Sequence, residues 1–288
     1  MKLKYTARGL AKTGRWRARR ALAGLRWGPN SLASMPAVLG NAMPKSGSHL
    51  IIQVLQGLTE LGPFVNPGFP PVNRNQENQK LPDEQVLDNL LRMRSGDIAY
   101  GYVQARQPFI QTLTQPGRAT VFVYRDPRDM IVSHVFYATD MHLGHGMHAY
   151  YNQTLQSTEE RINAAICGVD EPGAELSDIR SKYEAYLGWL KVPEVLCLRF
   201  EDLIQEREQA LGCILDYLAT RGFTPSTERS TAITTLQQAI QPQKSGTFRK
   251  GQPGNWREHF TPINIACFKE QTGDLLVRLG YEHEEGWD

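Results

Sequence analysis

Four short segments hold most of the residues that could grip an anion. Pro44-Lys45-Ser46-Gly47-Ser48-His49 comes first, and Tyr124-Arg125-Asp126-Pro127-Arg128-Asp129 with Ser133 comes second. Arg199-Phe200-Glu201-Asp202-Leu203 is third, and Phe248-Arg249-Lys250-Gly251 with Gly254-Asn255-Trp256 is last. In the first segment Lys45 brings a mobile positive charge, Ser46 and Ser48 bring hydroxyl donors, and Gly47 permits close backbone approach. Leu50-Ile51-Ile52 then opens an apolar helix. Amides at a helix N-terminus, reinforced by the helix dipole, form an anion site. The order differs from a Walker A loop, where the lysine follows the last glycine. An ordinary loop with a capping serine would read the same way, so this segment needs the others.

In the second segment Val121-Phe122-Val123-Tyr124 reads as a buried strand with Arg125 at its carboxyl end, and Ser133 stands two helical turns further on. A Walker B strand would end in a carboxylate holding Mg²⁺. An arginine in that place points to direct phosphate binding. Arg128 and Asp129 read instead as a structural ion-pair cluster at a helix start. In the last segment Arg249, Lys250 and Gly251 could wrap a phosphate by fork and point charge.

These segments need elements to carry them. Apolar runs suited to buried parallel strands occur at Ala37–Gly40, Ile98–Val103, Thr120–Tyr124 and Glu194–Phe200. Helical patterns fall at about 47–60, 83–94, 128–139, 178–191, 204–221, 227–240 and 262–279. The alternation predicts an α/β fold, one domain with a mainly parallel central sheet flanked by helices. Ligands of such sheets sit at the carboxyl ends of the strands, where the first three segments fall. Gly62–Pro82 and Thr139–Gly173 read as long loops, the second carrying His142, His145 and His148. That histidine spacing suits no common zinc pattern, so no metal site is expected.

The net charge of +2 conceals a division. Residues 1–27 hold nine Lys or Arg and no acid, leaving 23 basic against 30 acidic residues beyond them. We therefore read 1–30 as a basic N-terminal segment and 31–288 as the domain. No run of about 18 apolar residues offers a membrane span, and no apolar core of a signal peptide follows the charges. A basic helix packed on the body, or a disordered tail, is the plainer reading of 1–27. Peripheral contact with anionic lipid, through a stripe of Leu10, Trp16, Leu22, Leu25 and Trp27, is the second. Nucleic acid is not an expected partner. Cys167, Cys197, Cys213 and Cys267 form no C-x-x-C pair; with Cys197 in an apparent strand and Cys213 and Cys267 in apparent helices, buried thiols and a reducing, cytoplasmic setting are expected.

Taken together, PKSGSH, YRDPRDxxVSH, RFEDL and FRKGxxGNW resemble the cytosolic-type sulfotransferases that use 3′-phosphoadenosine-5′-phosphosulfate (PAPS). The resemblance spans about residues 37–280. It implies a fold related to P-loop nucleotide kinases, PAPS as co-substrate, adenosine 3′,5′-bisphosphate (PAP) as product, and no metal requirement. It assigns Lys45, Ser46, Gly47, Ser48 and His49 to the 5′-phosphosulfate loop. Arg125, Ser133, Arg249, Lys250 and Gly251 go to the 3′-phosphate, Phe200 to adenine, and Trp256 to packing. The acceptor it implies is a hydroxyl or amine on a small molecule, lipid or glycan.

The departures are specific. Ser48-His49-Leu50 replaces the usual Thr-Thr-Trp, and Phe200 replaces a Tyr. Gly101-Tyr102-Val103 stands where many members carry the histidine base. A free tyrosine, with a pKa near ~10, is an unready base at neutral pH. Three explanations stay open: Tyr102 acts with help, His49 or one of His134, His142, His145 and His148 substitutes, or the acceptor needs little help. The family's dimer motif would fall at Arg257 to Ala266, where Pro262 and a missing Glu interrupt it. An NTP-dependent kinase and a non-catalytic nucleotide binder remain as alternative classes.

Overall fold

The computed structural model describes residues 2–244 and 251–287. In chain order it contains α1 (Lys2–Trp27), β1 (Ala37–Ala42), α2 (Ser48–Leu61), α3 (Asp83–Leu91), β2 (Ile98–Gly101), α4 (Phe109–Leu113), β3 (Arg118–Tyr124) and α5 (Pro127–Phe136). Then follow α6 (Thr158–Cys167), β4 (Val169–Glu171), β5 (Ala174–Leu176), α7 (Ile179–Leu187), β6 (Val195–Arg199) and α8 (Phe200–Gln205). The last are α9 (Arg207–Thr220), α10 (Arg229–Ala239), α11 (Pro262–Thr272) and α12 (Leu275–Arg278). The chain divides into two compact units, Met1–Tyr124 with Gly188–Lys244 and Arg125–Leu187 with Ser245–Asp288.

The first unit holds the sheet, ordered β2-β1-β3-β6, with every neighbouring pair parallel. All four expected strands are present, and the α/β class stands. Every residue of β1 is buried, as are the middle five of β3. Strands covered on both faces need such continuous apolar runs. Val38 and Val121 meet Ile51, Val54, Leu55 and Leu58 of α2, Leu211 and Ile214 of α9, and Leu236 of α10 in one core. Each such side chain contributes roughly 1.5–3 kcal/mol by leaving water.

Several helices differ from their sequence patterns in ways with local causes. The pattern over 262–279 breaks at Gly273, where φ is 52°. The segment 204–221 is two helices meeting at Glu206, and α5 passes into a π turn at Tyr137–Met141. The expected loop Thr139–Gly173 contains α6. Its start is a capping box in which Ser157 accepts from Glu160 N while Glu160 reaches back to Ser157 N. The buried-thiol expectation also fails: Cys167 and Cys213 are exposed, and Cys197 and Cys267 half-buried. On α9 the inward positions are Ala210, Leu211, Ile214, Leu215 and Leu218, a helical period that leaves Cys213 outward.

Residues 1–27 follow the packed-helix reading. Asp97, 2% exposed, accepts from Trp16 Nε1 at 2.9 Å, Arg20 Nη1 at 2.7 Å and Arg94 N at 2.9 Å. Arg19 donates to Asn66 O, and Trp16 packs on Phe69. Trp16 therefore faces inward and leaves the proposed outer stripe. Replacing Asp97 removes the shared acceptor, and losing a charged hydrogen bond costs about 1.5–3 kcal/mol. Asp97→Ala should accelerate trypsin cleavage within residues 11–27 on the order of tenfold or more while the remaining body resists.

Candidate functional site

The loop between β1 and α2 is shaped by two left-handed residues. Met43 N donates to Val123 O, extending the β1–β3 ladder, and Ser46 N donates to Met43 O at 3.1 Å to close a turn. Lys45 then has φ 66° and Gly47 φ 87°. Gly47 is the N-cap of α2 and supplies no side-chain cap. The first helical bonds run from Leu50 N and Ile51 N to Gly47 O. The Ser48 and His49 amides precede them, at positions where a helix start leaves its N–H groups without intrahelical partners.

Two further features mark this turn as a candidate anion site. The Ser46 hydroxyl is fully buried and has no hydrogen-bond partner among the described residues. Such a group costs about 1–3 kcal/mol until something accepts its proton. Gly47 must lack a side chain, because a Cβ there would lie 2.5 Å from Phe200 Cδ2. Phe200, the first residue of α8 just past β6, is 6% exposed and closes the core directly beneath the loop.

His49 opens to solvent on the first turn of α2. Partial burial, and then the nearby Lys45 ammonium, hold its pKa below the ordinary imidazole value. The ring is therefore neutral at physiological pH and free to take a proton.

Tyr102 is brought to the same loop. Its hydroxyl donates to Ser48 Oγ at 3.1 Å. Its backbone is held by a reciprocal amide clamp: Tyr102 N donates to Asn73 Oδ1, and Asn73 Nδ2 donates to Tyr102 O. Asn41 does the same one residue on, accepting from Val103 N at 2.8 Å and donating to Val103 O at 2.9 Å. Trp189 Nε1 adds a second donor to Val103 O. Sequence reasoning missed both asparagines. The available signal was Asn41 itself, a polar residue in an apolar strand and fully buried here.

The remaining site residues lie in the second unit. Arg125, 8% exposed, directly precedes the Asp126 N-cap of α5, and half-buried Ser133 stands about two turns up that helix. Tyr183 hydroxyl fixes the Arg125 carbonyl at 2.7 Å, and Asp129 lies 3.5 Å from the Arg125 guanidinium. Asp129 also accepts from Gly254 N and Trp256 N at 2.8 Å each, tying the last motif to α5. Arg128 grips Asp126 and Glu282, and its guanidinium lies over both Trp256 and Trp287, whose rings meet edge to face. Both residues are structural, as their sequence setting suggests. Arg249 and Lys250 lie outside the described residues, while Gly251 has φ 63°.

The loop histidines are already engaged. His145 Nδ1 accepts from Met147 N, His148 Nδ1 contacts Ala138 O at 2.9 Å, and His142 stacks on Tyr137. His134 meets His145 and Tyr151 edge-on.

The profile of the sulfotransferase domain family matches residues 36–280, and the chain belongs to that family. Among solved structures, mouse sulfotransferase SULT7A1 complexed with PAP superimposes with TM-score 0.59 at 16% identity, covering 88% of this chain and 92% of that one. Retinol dehydratase in complex with androsterone and inactive cofactor PAP gives TM-score 0.55 at 15% identity, with coverage of 85% and 83%. These likenesses establish a sulfotransferase fold. Comparison with curated proteins returns no match.

Because Lys45 contributes to the depression at His49, removing its charge should relax it. In an NMR titration the His49 imidazole should titrate below about 6.5, and in Lys45→Ala its midpoint should rise. An unchanged midpoint would remove Lys45 from contact with the ring.

Proposed function

We propose that this protein transfers a sulfuryl group from PAPS to a hydroxyl or amine acceptor, releasing PAP. The observation that carries the reading is the uncapped start of α2, with left-handed Lys45 before it and beside it the buried Ser46 hydroxyl, which has no partner among the described residues. Family membership supplies the reaction class. In this reading Ser46, Ser48 and the first α2 amides hold the 5′-phosphosulfate. Lys45 stabilises the negative charge that grows on the bridging oxygen as the S–O bond breaks. The acceptor's proton leaves to a nearby base. His49 is the better prepared of the two candidates, because its neutral ring offers an unprotonated nitrogen; Tyr102, whose hydroxyl donates to Ser48, orients that serine. Arg125 and Ser133, joined by Arg249, Lys250 and Gly251, take the 3′-phosphate, and Phe200 supports the loop near adenine.

The acceptor we propose is a small molecule, lipid or glycan, in keeping with the androsterone and retinol named in the retinol dehydratase complexes. The setting proposed is the cytoplasm, with α1 resting on anionic lipid. Among the described residues no helix is long and apolar enough to cross a membrane. The face of α1 turned away from Asp97 exposes Ala11, Gly14, Ala18, Ala21, Leu22 and Leu25, the two leucines at 64% and 83%. Exposed Arg15 and Arg17 flank this face. An apolar stripe between cations suits an anionic bilayer surface.

Lys45→Ala should lower turnover on the order of 10²-fold or more while PAP affinity changes by less than about tenfold. Arg125→Ala should weaken PAP on the order of tenfold to 10²-fold and spare 5′-phosphate analogues. Stronger thermal stabilisation by ATP–Mg²⁺ than by PAP would overturn the reading in favour of a kinase. For the lipid surface, the protein should sediment with phosphatidylserine vesicles and not with pure phosphatidylcholine, and Leu22→Glu with Leu25→Glu should abolish this. Equal binding to both vesicles, or self-association without lipid, would refute it.

A further inference from the structure

Two cysteines 100 residues apart in sequence meet in the second unit. Cys167 Sγ lies 2.9 Å from Cys267 Sγ, and both are thiols. Their meeting is built into the contact between α6 and α11. Asn264, fully buried, caps the first turn of α11 together with Thr261. It also donates to Asn163 Oδ1 at 2.7 Å and to Glu159 O at 3.0 Å. Cys267 stands one turn beyond Asn264, and Cys167 one turn beyond Asn163, so the thiols form the next rung of the same helix pairing. The end of α6 is fixed as well. Gly168 caps it with φ 84°, and a Cβ at that position would lie 2.8 Å from both Asp178 N and Leu176 O.

We propose that Cys167 and Cys267 are an oxidation site, closing a reversible disulfide that locks α6 to α11 under peroxide. A disulfide needs about 2.05 Å between sulfurs, so less than an ångström of approach remains. The residues divide the chemistry by position. Cys167 is exposed and reachable, whereas burial, followed by the hydrogen bond with Cys167, pushes the Cys267 thiol up to about 12. Cys167 thiolate therefore attacks one peroxide oxygen first; the O–O bond breaks, water leaves after protonation, and a sulfenic acid remains. Cys267 sulfur then attacks the Cys167 sulfur, its thiol proton joins the departing hydroxyl as a second water, and the S–S bond forms. The two thiols lose two electrons and the peroxide gains them. A dithiol reverses the bond by exchange.

The bond would covalently tether α11, the helix following the Gly254-Asn255-Trp256 segment, without touching the sulfuryl-transfer residues. In a reducing compartment such pairs act as redox sensors. The proposal is independent of the reaction assigned above.

The test treats the full-length protein with hydrogen peroxide, alkylates it under denaturing conditions, and counts labels by mass. Four labels before treatment should become two. Peptide mapping should join Cys167 to Cys267, and dithiothreitol should restore all four. The oxidised protein should melt higher by an amount on the order of 5 °C. Cys167→Ser, an exposed change, should remain folded and lose both the crosslink and the shift; Cys267→Ala provides the reciprocal check. Four labels surviving peroxide, a crosslink between chains, or a bond through Cys197 or Cys213 would each overturn it.

Discussion

The candidate site depends on leaving backbone donors unsatisfied at a helix start inside a packed protein. Folding normally caps such amides or exposes them to water. Here the turn after β1 passes through left-handed Lys45 and Gly47, and α2 begins with no side-chain cap. Phe200 seals the underside of that turn so closely that residue 47 cannot carry a Cβ. The same ring is part of the core shared by α2, β3, α9 and α10. Core packing thus sets the loop geometry, and the geometry leaves the first amides of α2 uncapped by any side chain.

Tyr102 is held with comparable care. Its own backbone is pinned by Asn73, and that of the next residue, Val103, by Asn41 and Trp189. Side-chain amides that both donate to and accept from one short segment replace the ladder bonds that β2 stops providing after Gly101. The effect is to aim the phenol at Ser48. Beside it, burial and then the charge of Lys45 hold the pKa of His49 below the ordinary imidazole value.

The second unit obeys a different rule. Its buried charges are paired, with Asp129 reading two backbone amides and Arg128 enclosed by Asp126, Glu282 and two indole faces. An arginine packed on two indoles in this way stabilises through packing as much as through charge. The acidic and basic residues of YRDPRD therefore separate by environment: Arg125 faces the candidate phosphate role, and its neighbours hold the scaffold.

The four strands, the turn into α2 and the family were legible in the chain because their signals are local. A buried parallel strand is a continuous apolar run, and Lys45 to His49 are contiguous. Even α6 carried a readable Ser157-to-Glu160 capping box. What the chain alone did not show were contacts made across long separations. Asn41 with Val103, Gly47 with Phe200, and Cys167 with Cys267 are joined by packing between elements. Composition determined that residues 1–27 would be basic. Only the buried carboxylate of Asp97, receiving Trp16 and Arg20, decided which face of that helix turns inward, since periodicity marks an apolar stripe without naming the partner that will cover it.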